Sequence, residues 1–106
     1  MSRRSNPSRA LVRLLSMRFG VNLVNFDIVR SAPWASITFT GARHELAMDL
    51  RGDDPEKVAD RFLADLDVAE FDLPGHLLAD IALVARDTKP CGTVRLRLEA
   101  LTVEDG

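Results

Sequence analysis

Residues 71–84, FDLPGHLLADIALV, constrain this chain more than any other stretch. The Pro74-Gly75 pair punctuates the backbone and releases the longest apolar run of the sequence. Beyond it, Leu77, Ala79, Ile81, Leu83 and Ala85 fall on one side of an extended chain, and Leu78, Asp80, Ala82 and Val84 on the other. A strand apolar on both sides is what a central strand needs when protein covers both of its faces. We therefore expect a central strand here, with His76 at its start.

The other elements are read relative to it. Ser8 is placed to cap a helix over residues 9–19, where Leu11, Leu14, Leu15 and Arg18 share a face, Val12 and Phe19 widen the stripe, and Gly20 supplies a stop. Residues 21–30 alternate Val24, Phe26 and Ile28 with Asn25, Asp27 and Val29, a half-buried strand that Pro33 is expected to end. Ala35, Ile37 and Phe39 alternate with Ser36, Thr38 and Thr40, and Leu46, Met48 and Leu50 with Glu45, Ala47 and Asp49. Gly41-Ala42 between them reads as a hairpin turn.

A second helix follows, capped by Asp53 or Asp54, with Pro55 in its first turn, where a missing N–H costs nothing. With Asp53 as cap, Glu56 would complete a capping box. Val58, Ala59, Phe62, Leu63 and Leu66 make its apolar face. After the loop DTKPCG, Val94, Leu96, Leu98 and Ala100 alternate with Arg95, Arg97 and Glu99 in a last strand with one dry face.

The order α-β-β-β-α-β-β gives an α+β fold: a mostly antiparallel sheet of about five strands, the second helix packed on one face. Parallel pairing is open only across that helix. At 106 residues one domain is expected over residues 9–106, with 1–8, MSRRSNPS, a disordered basic tail.

The charge is uneven. Arg3, Arg4, Arg9, Arg13 and Arg18 lie in the first 20 residues with no acid, while the remainder carries 9 basic and 16 acidic side chains. Such an arm either folds back on its own acidic body or is a candidate anion-binding site for nucleic acid or an anionic surface. The absence of tyrosine and of base-stacking aromatics among the arginines argues against nucleic acid. The same arm has the composition of an organelle transit peptide. Cys91, the only cysteine, makes no internal disulfide, and no apolar run approaches the ~18 residues of a membrane span, so a cytoplasmic protein is expected.

His44 shares the parity of Leu46 and Met48, and His76 that of Leu78 and Asp80. Were the two strand starts to converge, Trp34, His44, Asp72, His76 and Asp80 would line a candidate binding pocket, with an imidazole beside a carboxylate as a general base pair. The bland alternative is that each imidazole satisfies its own turn or strand. No P-loop or dinucleotide fingerprint is present, and one cysteine with two histidines makes no metal cluster of useful spacing, so neither cofactor nor metal is expected and no catalytic residue is assigned.

The segments PWASITFTGARHEL, FDLPGHLLADIALV and LEALTVED resemble a small family of uncharacterised bacterial proteins over residues 21–105. That resemblance implies no activity. Without a catalytic motif, the reading leans away from an enzyme and toward a protein-interaction module that binds a partner or itself as a homodimer. A small enzyme or ligand-binding domain, or a weak anionic-surface binder, is the alternative.

Overall fold

The computed structural model describes residues 7–19, 24–66, 73 and 75–104. Its elements are α1 (Pro7–Phe19), β1 (Val24–Ala35), β2 (Thr40–Leu50), α2 (Pro55–Leu66), β3 (His76–Thr88) and β4 (Val94–Glu104). Two hairpins, β1–β2 and β3–β4, join through β2 and β4 into one four-stranded antiparallel sheet of order β1-β2-β4-β3. The class is α+β, as the sequence indicates.

Both helices lie on one face of the sheet. The core joins Leu15 of α1 and Ala59, Phe62 and Leu66 of α2 to Leu46, Met48 and Leu50 of β2 and Val94, Leu96 and Leu98 of β4. A smaller cluster of Leu11, Leu73 and Ala100 closes the end beside the start of β3. The spacing of Ala59, Phe62 and Leu66 follows one face of a helix, so amphipathicity sets how α2 docks. Asp54 caps α2, its Oδ1 accepting from the Lys57 N–H at 3.2 Å, and Pro55 takes the first helical position. Glu56 is thereby freed from a capping box and binds Arg86 and Thr88 of β3 instead.

Four expectations are corrected. The fifth strand disappears because β1 runs unbroken through Pro33 to Ala35. The sheet edge is where a strand tolerates a residue with no N–H, and β1 is an edge. The β1–β2 turn is at residues 36–39, not Gly41-Ala42: the Ser36 N–H donates to the Phe39 carbonyl at 2.7 Å, and the Phe39 N–H to Ser36 Oγ at 3.1 Å. Gly41 is needed for another reason, since a Cβ there would collide with the Thr102 carbonyl of β4 and stand 2.9 Å from Trp34 Nε1.

The third correction concerns β3, which is an outer strand and, among the described strands, pairs only with β4; β2 and β4 are the central strands. Its apolar positions on two sides do not have two layers to meet, because no helix covers the second face among the described residues. Bulges between Leu78 and Asp80 and between Leu83 and Ala85 also break its alternation. Leu78, Ile81 and Leu83 align with Thr102, Ala100 and Leu98 on the helix side, while Leu77, Asp80, Ala82 and Ala85 align with Val103, Leu101, Glu99 and Arg97 on the other. Finally α1 starts at Pro7, two residues before the expected Arg9, so Ser8 lies inside the first turn; residues 1–6 of the expected tail lie outside the described residues.

Candidate functional site

The two imidazoles come to the same side of the sheet. His44, on β2, is fully buried beneath the start of α1. Its Nδ1 lies 2.9 Å from Ser8 Oγ and its Nε2 2.8 Å from Thr102 Oγ1, and the Thr102 hydroxyl donates to the Ala42 carbonyl at 3.3 Å. Because Thr102 spends its proton on Ala42, it accepts from Nε2–H; Nδ1 is left as acceptor for the Ser8 hydroxyl. Burial, with the charge of nearby His76 adding to it, pushes His44 below its ordinary value of 6.5, which keeps the ring neutral and the chain of donors consistent.

A serine bonded to an imidazole is the start of a nucleophile-and-base pair. Here the third position holds a threonine, and Ser8, His44 and Thr102 are all buried, so no substrate reaches the hydroxyl. The arrangement pins the first turn of α1 to β2 and β4.

His76 opens β3 directly after Gly75, whose φ of 74° is a conformation that favours glycine, and its N–H donates to the Leu73 carbonyl at 2.9 Å. It is half-buried on the helix side, aligned with Glu104. Asp80 shares neither side nor neighbours with it, because the bulge turns Asp80 to the uncovered face, where it borders a depression of about 130 Å³ with Arg43, Glu99 and Leu101. Trp34 is also on the uncovered face, lying over Gly41, with Nε1 donating to the Thr102 carbonyl at 3.3 Å. The sheet thus separates Trp34 and Asp80 from His44 and His76, and Asp72 lies outside the described residues.

Among the described residues no group of three metal-ligating side chains comes together. Of the arginines singled out in the sequence, Arg9 and Arg13 are exposed on α1; Arg3, Arg4 and the side chain of Arg18 lie outside what is described.

The uncovered face is a graded surface. At the end near Leu50, Arg95 grips Asp27 through two bonds of 2.9 and 3.0 Å and reaches Asp49 at 3.2 Å, while Lys89 adds a second cation to Asp49 at 3.1 Å. Bonding from Arg95 holds the Asp27 carboxyl below its ordinary value. In the middle, Glu45 stands directly opposite Glu99, with Arg30 3.8 Å from Glu45. The cleft between Ile28, Ala47, Val84 and Arg97 holds only about 40 Å³, far below the ~300 Å³ of a small-molecule site. Toward the opposite end the surface turns apolar, with Trp34, Val103 and Leu77 in register across the strands.

What stands out is exposure of apolar side chains at two places. Along β3 these are Leu77 (56%), Leu83 (39%) and Val84 (51%), and at the β1–β2 turn they are Ile37 (104%) and Phe39 (55%). Sequence reasoning placed Ile37 and Phe39 in a strand interior because a period of two continues through them. It missed the Ser8–His44–Thr102 chain because its members are 36 and 58 positions apart with no local signal. No protein-family model matches the chain, and searches of curated proteins and of solved structures found no match. The site's own geometry therefore has to carry the functional reading.

Proposed function

We propose that this chain is a protein-interaction module that pairs with a second copy of itself along the outer edge of β3. The observation that carries the reading is a 13-residue edge strand with Leu77, Leu83 and Val84 exposed on it. An edge offers unpaired backbone donors and acceptors to another strand, and soluble proteins usually blunt it with charge, proline or a cover. β3 contains no proline, and its only arginine, Arg86, is turned inward to α2, where it bonds Asp60 at 2.7 Å and Glu56 at 3.0 Å; the exposed Asp80 and Asp87 and the two bulges blunt the edge only in part.

Leu83 lies on the helix side, while Leu77 and Val84 lie on the uncovered side. A strand added to β3 would thus be gripped on both of its faces, main-chain bonds giving affinity and these side chains specificity. Antiparallel pairing of β3 with its own copy is isologous, so the same edge serves both partners and the sheet closes at eight strands.

The test is light scattering after gel filtration over a range of concentrations, on the wild type and on Leu83→Lys/Val84→Glu. Both positions are exposed, so the paired change costs the monomer little. A dimer that the paired variant converts to a monomer with an unchanged thermal melt supports the reading; a wild type that stays monomeric at every concentration refutes it.

A further inference from the structure

We infer that the β1–β2 turn docks this protein on the surface of a lipid bilayer, inserting Ile37 and Phe39 to the level of the acyl chains. Hairpin tips normally carry Gly, Asn, Asp or Pro because the backbone requires them. Here Ser36 alone satisfies the turn, taking the Phe39 N–H on its hydroxyl and giving its own N–H to the Phe39 carbonyl. No non-glycine residue among those described has a positive φ. Ile37 and Phe39 therefore answer no need of the turn, and Ile37 is fully exposed at its apex. A local rule broken without a packing gain marks a functional surface.

Charge sets the boundary of the inserting unit. Residues 31–42 contain no ionisable side chain in a chain that is 28% charged, and the first charges on either side are Arg30 and Arg43. Arg43 is three residues past the first residue of β2, or ~10 Å along the strand. Arg9, beside the Ser8 that meets His44, is exposed at the same level on the helix side. Apolar side chains of a surface-bound protein reach ~5–10 Å into the boundary between headgroups and acyl chains, which leaves both arginines among the phosphates. Asp80 and Glu104 oppose them, although the Glu104 carboxylate already accepts from Thr40 at 2.9 Å. The apolar apex is thus the main determinant and anionic lipid a smaller one. The strands run along the 45 Å axis of the molecule, so the apex meets a surface end-on.

Area selects a bilayer over a second protein. The two projecting side chains offer at most ~400 Å² together, and a protein partner would have to extend over Trp34, Val103 and Leu77 as well to approach the ~800 Å² that each side contributes to a stable interface. A bilayer needs no complementary surface, and Trp34, behind the apex, is of the residue type that settles at membrane interfaces.

The experiment uses the full chain with extruded vesicles of phosphatidylcholine alone or with a quarter phosphatidylserine, read by sedimentation and by the emission of Trp34, the only tryptophan. We expect partition onto both vesicles, stronger with phosphatidylserine, and a blue shift of Trp34. The variant Ile37→Ser/Phe39→Ser, with an unchanged melt, should lose at least tenfold in partition, and Leu83→Lys/Val84→Glu should retain it. No partition on either vesicle overturns the inference, as does equal partition of the serine variant. A serine variant that changes the oligomeric state in solution overturns it in favour of a second copy at the tip.

Discussion

The two faces of one sheet are built by different physics in this molecule. On the helix side, Leu46, Met48, Leu50, Leu96 and Leu98 are essentially without solvent contact, and the polar atoms among them, on Ser8, His44 and Thr102, form a closed hydrogen-bond chain. On the other side the same two central strands present Arg43, Glu45, Arg97 and Glu99, together with the Arg95 cluster, in which Asp27 is exposed and Asp49 is largely buried. Removing a buried group leaves a cavity or an unpaired dipole, whereas water replaces most of what an exposed charge loses. Neighbouring residues of β4 should therefore differ by several kcal/mol in what their loss costs.

The largest contrast is expected at positions 96 and 97. Leu96→Ala, at a site with no exposure, should cost about 2–5 kcal/mol. Arg97→Ala, one residue along and facing the other way, should stay within about 0.5 kcal/mol. Urea unfolding of both variants decides it; equal costs would mean that the second face is packed against something in solution.

A middle-sized effect should come from the buried chain. Thr102→Val keeps the shape but leaves His44 Nε2–H without its acceptor, at about 1–3 kcal/mol. His44 also sets a pH dependence. Its folded pKa lies below the 6.5 of a free imidazole, so the unfolded chain binds the proton first. Its contribution is complete above about pH 6.5 and is lost as pH falls through the folded value. Among the described residues, the groups facing the ring are the Ser8 and Thr102 hydroxyls and His76, none of them an acid that would reverse the sign. Urea midpoints at pH 7.5 and 5.0 should therefore differ more for the wild type than for His44→Gln, and equal differences would show that the ring charges without cost.

The contrast between faces also explains what could be read from the chain. The alternation of β2 and β4 and the Asp54-Pro55 start of α2 were legible because each has one dry side, and a single periodicity reports it. β3 was not, since apolar residues on two sides describe a covered central strand and an uncovered sticky edge equally well, and no local signal marks its two bulges. The turn at residues 36–39 was hidden because Ile37 and Phe39 keep the strand period, while Gly41, required by Thr102 and Trp34, imitates a turn. Of the candidate site, parity placed His44 with Leu46 and Met48, but it left open whether His76 shares that side, because both faces of β3 are apolar. The separation of Asp80 from His76 was not legible either, because one extra residue at the Leu78–Asp80 bulge reverses every side chain beyond it until the next.

The smallest effect is expected on the uncovered face at Asp27. Its carboxylate is held below the ordinary 3.8 chiefly by hydrogen bonding from Arg95, so the contribution is present above pH 3.8 and is lost as pH falls through the folded value. Asp27 is exposed, so Asp27→Asn at neutral pH should cost no more than about 1 kcal/mol. Most of that should vanish at ~1 M salt, where the screening length is only ~3 Å. Urea unfolding of the wild type and Asp27→Asn at low and high salt measures both quantities. A loss above ~2 kcal/mol that salt leaves unchanged would place Arg95 and Asp27 in a medium from which water and ions are excluded. The second face would then have a cover in solution, and the distinction between a dry side and a wet side would belong to the isolated chain rather than to the working protein.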